Sequence, residues 1–333
     1  MTRISNQGPG GRELLESAWA LRERLRAFSD NQAVRVFHGP GEGLGEWAWL
    51  AVDCLGTFAW VTEWEPEKGR SSGISSRTRE EVAEFLKAKG VQGGVWLGRP
   101  HGDLPNFPEI FFGEVPSEEF EIREEGIKIG IRLQDTRHPG LFLDHLPLRR
   151  WLKKNMKSKR VLNTFAYTGS LSLAAGAAGA TSVTTLDLSK PTIRWAEDNW
   201  KRNPFENSEA RFIYGDVFEW LPRLKREGKT FDCVISDPPS FSRGKKGNFS
   251  TSKDLEKLHS LLFEVLEPGG WLVSSINSAQ VPYAKMEAQI AAAARAQGRR
   301  LRVVEKIDLP NTFPTREGDF EARYLKGVIA RVD

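Results

Sequence analysis

Two cysteines are all the 333-residue chain contains, and no apolar run reaches the ~18–20 residues that a membrane span requires. Cys54 and Cys233 lie far apart and fit neither a disulfide framework nor a zinc site, so a metal-free protein is expected. The opening stretch Met1-Thr2-Arg3-Ile4-Ser5-Asn6-Gln7-Gly8 has no apolar h-region. No secretory signal is read there, and the expected location is the cytoplasm, without membrane contact. Internal repeats and low-complexity segments are missing too, and nothing in the pattern specifies an oligomeric state. What remains is ordinary globular composition at a length that suits two domains.

Net charge is only +4, but it is unevenly spread. Arg149, Arg150, Lys153, Lys154, Lys157, Lys159 and Arg160 follow one another with no acid among them. Smaller basic groups occur at Arg243, Lys245 and Lys246 and at Arg295, Arg299, Arg300 and Arg302. Such clusters attract a polyanion. A solvated helix face has the same composition, so the charge supports a nucleic-acid partner without establishing one.

Apolar residues at helical spacing, Leu14, Ala18, Leu21, Leu25 and Phe28, predict an amphipathic helix over 12–28. From 33 to about 125, short apolar stretches broken by glycine predict strands at 34–37, 47–52, 57–61 and 94–97. A helix over 78–89 would turn Val82, Phe85 and Leu86 inward. This reads as a small α+β domain over 31–126, preceded by an extension over 1–30. Six of the eleven tryptophans fall before residue 100, and a packed core suits them better than a base-stacking platform. Beyond Gly126, after a hairpin-like lead-in at 127–133, strands at 160–163, 182–187, 210–214, 231–236 and 270–275 alternate with helices at 170–176, 190–203, 217–226 and 253–266. That alternation predicts an α/β domain over 127–333, a doubly wound, mostly parallel, Rossmann-like sheet covered on both faces.

In such a sheet ligands bind at the carboxyl ends of the strands, near the point where strand order reverses. The first of these strands ends at Asn163 and passes through Phe165, Tyr167, Thr168 and Gly169 into a helix of small residues. The backbone of that loop can approach a ligand closely, but G-x-G-x-x-G, the nicotinamide fingerprint, is not there. The second strand ends at Asp187, about 24 residues after Asn163, near the spacing at which these folds hold a ribose. Its carboxylate can accept from the 2′ and 3′ hydroxyls, and Asp216, closing the third strand, can accept from an adenine amino group. Leu188 and Val217, which follow the two acids, belong to the same expected site. Each acid singly suits a helix N-cap as well. As three strand ends in register, Asn163, Asp187 and Asp216 point to S-adenosyl-L-methionine.

The fourth strand runs into Asp237-Pro238-Pro239-Ser240-Phe241-Ser242. Two prolines lack backbone donors and fix φ, so the turn is stiff and its carbonyls stay free to accept. Asp237 on this turn can hydrogen-bond the edge of a planar base, and Phe241 can stack on its face. Both are candidate catalytic residues.

From roughly 141 to 280 the chain resembles the bacterial large-subunit ribosomal RNA methyltransferases. The resemblance is carried by Gly140-Leu141-Phe142-Leu143-Asp144-His145, by Phe165-Ala166-Tyr167-Thr168-Gly169-Ser170, by Thr184-Thr185-Leu186-Asp187-Leu188-Ser189 with Trp195-Ala196-Glu197-Asp198-Asn199, and by the Asp-Pro-Pro turn. It is greatest to the guanine-N7 methyltransferase half of the bifunctional enzyme, then to the cytosine-C5 enzymes. The resemblance implies that Asp187 and Asp216 hold the ribose and adenine of S-adenosylmethionine, that Asp144 and the 165–169 loop border its methionine end, and that the partner is ribosomal RNA. The 42–45 and 52–53 stretches resemble the small middle domain of the cytosine enzymes, and Tyr324-Leu325-Lys326-Gly327 is similar to them as well. Two features depart from the family. Only the helix near 12–28 is expected ahead of the middle domain, where relatives often carry an RNA-binding module. The arginine usual after Asp-His is Leu146.

The acceptor atom is read from the nucleophiles. Cytosine C5 reacts only after a thiolate adds to C6, so it needs a cysteine beside the base. In the cytosine relatives that cysteine follows the fifth strand, where this chain has Asn277. Cys233 sits four residues before Asp237, about 13 Å down a buried strand at ~3.3 Å per residue. Cys54 belongs to the other domain. Guanine N7 has an exposed lone pair and needs alignment rather than activation. The expected order is guanine N7, then an exocyclic amine, then cytosine C5, with Asp237 and Asn277 positioning the base. The competing readings are a methyltransferase for a small molecule or protein, and a non-catalytic RNA-binding protein of the same fold.

Overall fold

The short apolar stretches of the first third pair into a five-stranded sheet, and the alternating stretches beyond it into a seven-stranded one. A computed structural model describes residues 10–28, 31–64, 73–99, 107–134, 136–206, 208–244, 247–279, 281–318 and 323–333. Two units emerge, Met1–Leu143 with Pro310–Ala322, and Asp144–Leu309 with Arg323–Asp333. The sequence placed the division after residue 126. The structure places it after Leu143, so the hairpin at 120–131 falls in the first unit, and it returns a late segment to that unit.

In the first unit, α1 (Gly11–Arg24) is followed by β1 (Ala33–His38), the single turn α2 (Gly39–Glu42), β2 (Leu50–Leu55) and β3 (Phe58–Trp64). Then come α3 (Ser76–Ala88), β4 (Gly93–Arg99), β5 (Glu109–Gly113) and the hairpin β6 (Phe120–Glu124) with β7 (Ile127–Ile131). The sheet order is β1-β2-β3-β4-β5, antiparallel except where α3 crosses over between β3 and β4. Leu15 and Ala18 from α1 and Val82, Phe85 and Leu86 from α3 bury against Val36, Phe37, Val61 and Trp96. Trp47, Trp60 and Trp96 are buried, as expected of core tryptophans. The stretch 47–52 is not one strand. Gly45, at φ +57, turns the chain into a 3-10 helix over Gly45–Trp49, which packs Trp47 edge-on against Phe37 at 5.8 Å, and β2 starts only at Leu50. Helix α1 stops at Arg24, short of Phe28, and Arg26 takes φ +50 just beyond its end.

The late segment 310–316 closes this unit. Arg22, fully buried in α1, pairs with Glu42 and donates to the Thr312 carbonyl at 2.7 Å. The Arg35 guanidinium stacks 4.3 Å over the Phe313 ring while pairing with Asp53. A Cβ on Gly41 would fall 1.8 Å from the Pro314 carbonyl oxygen, so only glycine fits beneath the segment.

The second unit contains α4 (Leu146–Asn155), β8 (Arg160–Thr164), α5 (Ser170–Ala177), β9 (Ser182–Asp187), α6 (Lys190–Lys201), β10 (Glu209–Tyr214), α7 (Val217–Arg226) and β11 (Phe231–Ser236). A two-stranded hairpin follows, β12 (Phe241–Gly244) and β13 (Gly247–Ser250), then α8 (Thr251–Phe263), β14 (Leu266–Asn277), α9 (Tyr283–Ala296), β15 (Leu301–Ile307) and β16 (Leu325–Val332). The sheet order is β10-β9-β8-β11-β14-β16-β15, with β16 alone reversed. The chain winds outward from β8 in one direction and from β11 in the other, so strand order reverses between them. That switch point is where an open α/β sheet binds its ligand. Leu162, Leu186, Ile213, Leu221, Val234, Leu258, Leu262, Leu272 and Ile290 belong to the core of this unit. Among the described residues no helix is long and apolar enough to cross a membrane.

Candidate active site

The loop between β8 and α5 is bent by three left-handed residues, Phe165 at φ +55, Tyr167 at +50 and Gly169 at +81. For the two aromatics this conformation costs about 1–2 kcal/mol each, so the surroundings must hold it. Asp187, the last residue of β9, does so: Oδ2 accepts from Tyr167 N at 2.9 Å, and Oδ1 accepts from Ser189 N at 2.8 Å. Burial raises the Asp187 carboxyl above its ordinary pKa, against the backbone N–H groups of Ser189, Tyr167 and Leu188, which lower it. Asn199 donates to the Thr168 carbonyl at 3.1 Å, and a Cβ on Gly169 would meet Ala196 at 3.1 Å, so α6 packs tightly under the loop.

Asn163, Asp187 and Asp216 are staggered rather than in register. Asn163 pairs with Thr185, two residues short of Asp187, and β8 continues to Thr164. Tyr214 pairs with Asp187, which leaves Asp216 two residues beyond. Asn163 is fully buried, donating to Ser172 Oγ at 2.9 Å, and Thr185 reaches the same oxygen at 2.9 Å. The structure thus brings Asn163 to the first turn of α5 from below. Asp216 caps α7, accepting from Phe218 N at 2.9 Å through Oδ1. Val217 is buried and Leu188 is exposed.

Across the switch point lies the turn after β11. Asp237 Oδ1 accepts from Ser275 Oγ at 2.6 Å, and Oδ2 lies 3.1 Å from His145 Nε2. The latter contact is close but poorly aligned with the ring N–H, so it acts as an ion pair more than as a directed hydrogen bond. Burial would lower the His145 pKa, but Asp237 and Asp144 outweigh it and raise the ring to about 10. His145 Nδ1 lies 3.0 Å from Asp144 Oδ1, and the Tyr324 hydroxyl donates to Asp144 Oδ2 at 3.0 Å. Ser240 donates to the carbonyl of Asn277, which ties the Asp-Pro-Pro turn to the end of β14. The Asn277 side chain and the Phe241 ring, 53% exposed, are open to solvent. Sequence reasoning overlooked His145, Ser275 and Tyr324 as site residues. His145 stood beside Asp144 in a quoted motif and Tyr324 in another, but nothing local signalled that they meet.

The basic segment divides by role. Arg149 is buried in α4, and Arg160 pairs with Asp232 and Glu267, each at 3.0 Å. Arg150, Lys154 and Lys157 are exposed. Arg299 is also structural, donating to the carbonyls of Phe263, Leu266, Glu267 and Val332. Lys245 and Lys246 lie outside the described residues. Both cysteines are buried, which raises their thiol pKa values well above the ordinary one.

At the end of β9, then, a carboxylate is held by backbone N–H groups and keeps lone pairs to share with further donors. This donor set fits the vicinal hydroxyls of a nucleoside and would repel a phosphate in their place. With the doubly wound sheet and the switch-point turn, it defines a nucleotide-cofactor enzyme of the Rossmann-like class. The sequence matches the S-adenosylmethionine-dependent methyltransferase family over residues 34–330, and the chain belongs to that family. Its cofactor is S-adenosyl-L-methionine. A ribosomal RNA large subunit methyltransferase of Deinococcus radiodurans is 31% identical over 326 residues, 94% of this chain and 76% of that protein. The ribosomal RNA large subunit methyltransferase I of Pseudoalteromonas atlantica is 30% identical over 266 residues, 78% of this chain and 67% of its own length. A crystal structure of a methyltransferase complexed with S-adenosylhomocysteine matches with a TM-score of 0.84 at 26% identity, over 98% of this chain and 84% of that one.

Proposed function

We propose that this chain methylates a base of large-subunit ribosomal RNA, with guanine N7 as the acceptor. The names of the two relatives and the exposed cations of α4 and its flank support RNA as the partner. The choice of base rests on Asp237, fixed by Ser275 on one oxygen and His145 on the other. A carboxylate held this way is a hydrogen-bond acceptor of set direction. Guanine offers it two adjacent donors, N1–H and the N2 amino group, while N7 on the opposite edge keeps a bare lone pair. Cytosine sets its amino group beside the N3 lone pair, which a carboxylate repels.

In this reading Asp187 accepts from the ribose hydroxyls and Asp216 from the adenine amino group, with Leu188 and Val217 beside the ring. The 165–169 loop and Asp144 border the methionine end, with Asn163 bracing the loop from within the core. When bound, S-adenosylmethionine supplies an electrophilic methyl group on a sulfonium. The chain removes no proton from N7; it contributes alignment. Asn277 and Phe241 complete the base site, one as a hydrogen-bonding amide and the other as a stacking ring. Thiolate attack on a pyrimidine is disfavoured, because Cys233 is fully buried in β11 and its thiol is hard to ionise.

The test is transfer of labelled methyl to ribosomal RNA, followed by nucleoside digestion. 7-Methylguanosine is expected. A methylated exocyclic amine would move the acceptor to the amino group, and 5-methylcytidine would overturn the reading of the site.

A further inference from the structure

Four contacts join five side chains into one line across the site. Ser275 Oγ meets Asp237 at 2.6 Å, Asp237 meets His145 at 3.1 Å, His145 meets Asp144 at 3.0 Å, and Asp144 meets Tyr324 Oη at 3.0 Å. The five come from β14, the turn after β11, the turn before α4 and the residue preceding β16. We propose that His145 is a positioning residue, which locks the base-holding Asp237 to Asp144 at the methionine end of the cofactor site and so sets the alignment of acceptor and methyl. This rests on the assignment of Asp237 and Asp144 given above.

The physical case begins with the two carboxylates. Asp144 is buried and Asp237 largely so, and two like charges flanking one ring in that setting repel one another. An imidazolium between them removes the conflict, because its Nδ1 meets Asp144 in a hydrogen bond while its positive charge holds Asp237 as an ion pair through Nε2. Burial would strip that proton, and the two carboxylates together hold it. The outer oxygens are tied in turn by hydroxyls that can only donate to a carboxylate, Ser275 at one end and Tyr324 at the other. Each carboxylate is therefore contacted at both oxygens, which restrains rotation about its terminal torsion. A neutral ring would keep one N–H for Asp144 but lose the charge that holds Asp237. Misplacement of a reacting group by ~1 Å can cost about 10²-fold in rate, so the grip matters to turnover more than to binding.

The experiment compares His145→Gln, Asp237→Asn and the double variant in steady-state methyl transfer to ribosomal RNA, with cofactor affinity measured by calorimetry. His145→Gln should lower kcat by about 10²-fold, while the KM for RNA and the Kd for the cofactor stay within about threefold. Asn at 237 no longer needs a cation, so the double variant should be no slower than Asp237→Asn alone. Multiplying losses, or a fall in cofactor affinity that accounts for the whole effect, would overturn the proposal. Tyr324→Phe removes one hydroxyl at the far end of the line and covers the case in which His145→Gln does not fold. It should lower kcat about 3–10-fold, the scale of one lost hydrogen bond, and that loss too should vanish in the Asp237→Asn background. If the product is not 7-methylguanosine yet the losses fail to multiply, the acceptor assignment is wrong and the role of His145 stands. The reverse pattern sinks His145 alone.

Discussion

Tyr167 donates its backbone N–H to Asp187 across 2.9 Å and thereby fastens the loop after β8 to the end of β9. One carboxylate thus holds a left-handed tyrosine in place and stands ready for further donors. Asp187→Ala should weaken S-adenosylmethionine binding by about 1.5–3 kcal/mol, the scale for losing charge-assisted hydrogen bonds. Isothermal calorimetry reads this directly, and an unchanged affinity would remove Asp187 from the cofactor site.

Electrostatic contact with RNA should be carried by the exposed part of the basic segment, since Arg149 is buried and Arg160 is engaged with acids. Lys154→Ala with Lys157→Ala should lower affinity for ribosomal RNA fragments. The slope of log affinity against log salt should flatten by roughly 1.4, two phosphate contacts at about 0.7 each for single strands. Cofactor binding should not change. A slope equal to that of the unaltered chain would make these lysines a solvated face.

Cys54→Ser combined with Cys233→Ser should leave methyl transfer largely intact. The cost appears in stability, about 1–3 kcal/mol, because each hydroxyl is placed in a buried site made for a thiol. Denaturant unfolding measures it. A covalent RNA adduct that disappears on Cys233→Ser would be incompatible with alignment-only catalysis.

Two buried histidines give the chain opposite pH limbs. His145 holds its proton in the folded state up to about pH 10 and loses it near 6.5 in the unfolded state. Its contribution to stability is complete below pH 6.5 and is lost as pH rises through about 10, at a slope of at most roughly 1.4 kcal/mol per pH unit. His259, between the Leu255 carbonyl and Ser274 Oγ, is held neutral by burial, with its pKa lowered to about 4. The unfolded chain takes up a proton there first, so stability falls as pH drops from 6.5 toward 4. Thermal melts across pH 4–10 should show both limbs, and His145→Gln should flatten only the alkaline one.

The sheet strands were legible where apolar runs are short and end in turn residues. The span 182–187 matches β9 at both ends, and 231–236 matches β11. Helix α4 was hidden because its lysines and arginines draw attention to charge, although Leu148, Leu152 and Met156 recur every four residues on its buried side. Strand β15 was missed because it is exposed over much of its length, so no buried alternation marks it. In β16 even Lys326 is buried, satisfied by the carbonyls of Ser278 and Arg323. The positions of Asp187 and Asp216 at or just past strand ends could be read from spacing, but their register could not. Periodicity fixes where a strand ends and leaves open how far it slides against its neighbour. The contact of Tyr324 with Asp144 joins residues 180 apart in sequence, and no local pattern encodes it.

The segment that carries Thr312, Phe313 and Pro314 into the first unit has a consequence for biosynthesis. Domains generally fold in order as they leave the ribosome, at about 5–20 residues per second. Here the pocket formed by Arg22, Arg35 and Gly41 must wait for a piece of chain made near the end of translation. For roughly ten to thirty seconds at those rates, the nascent first unit would carry an uncovered face. Vectorial folding is therefore incomplete for this chain, and cutting it after Leu143 would yield two fragments, one lacking its closing segment and the other bearing Phe313 without its pocket.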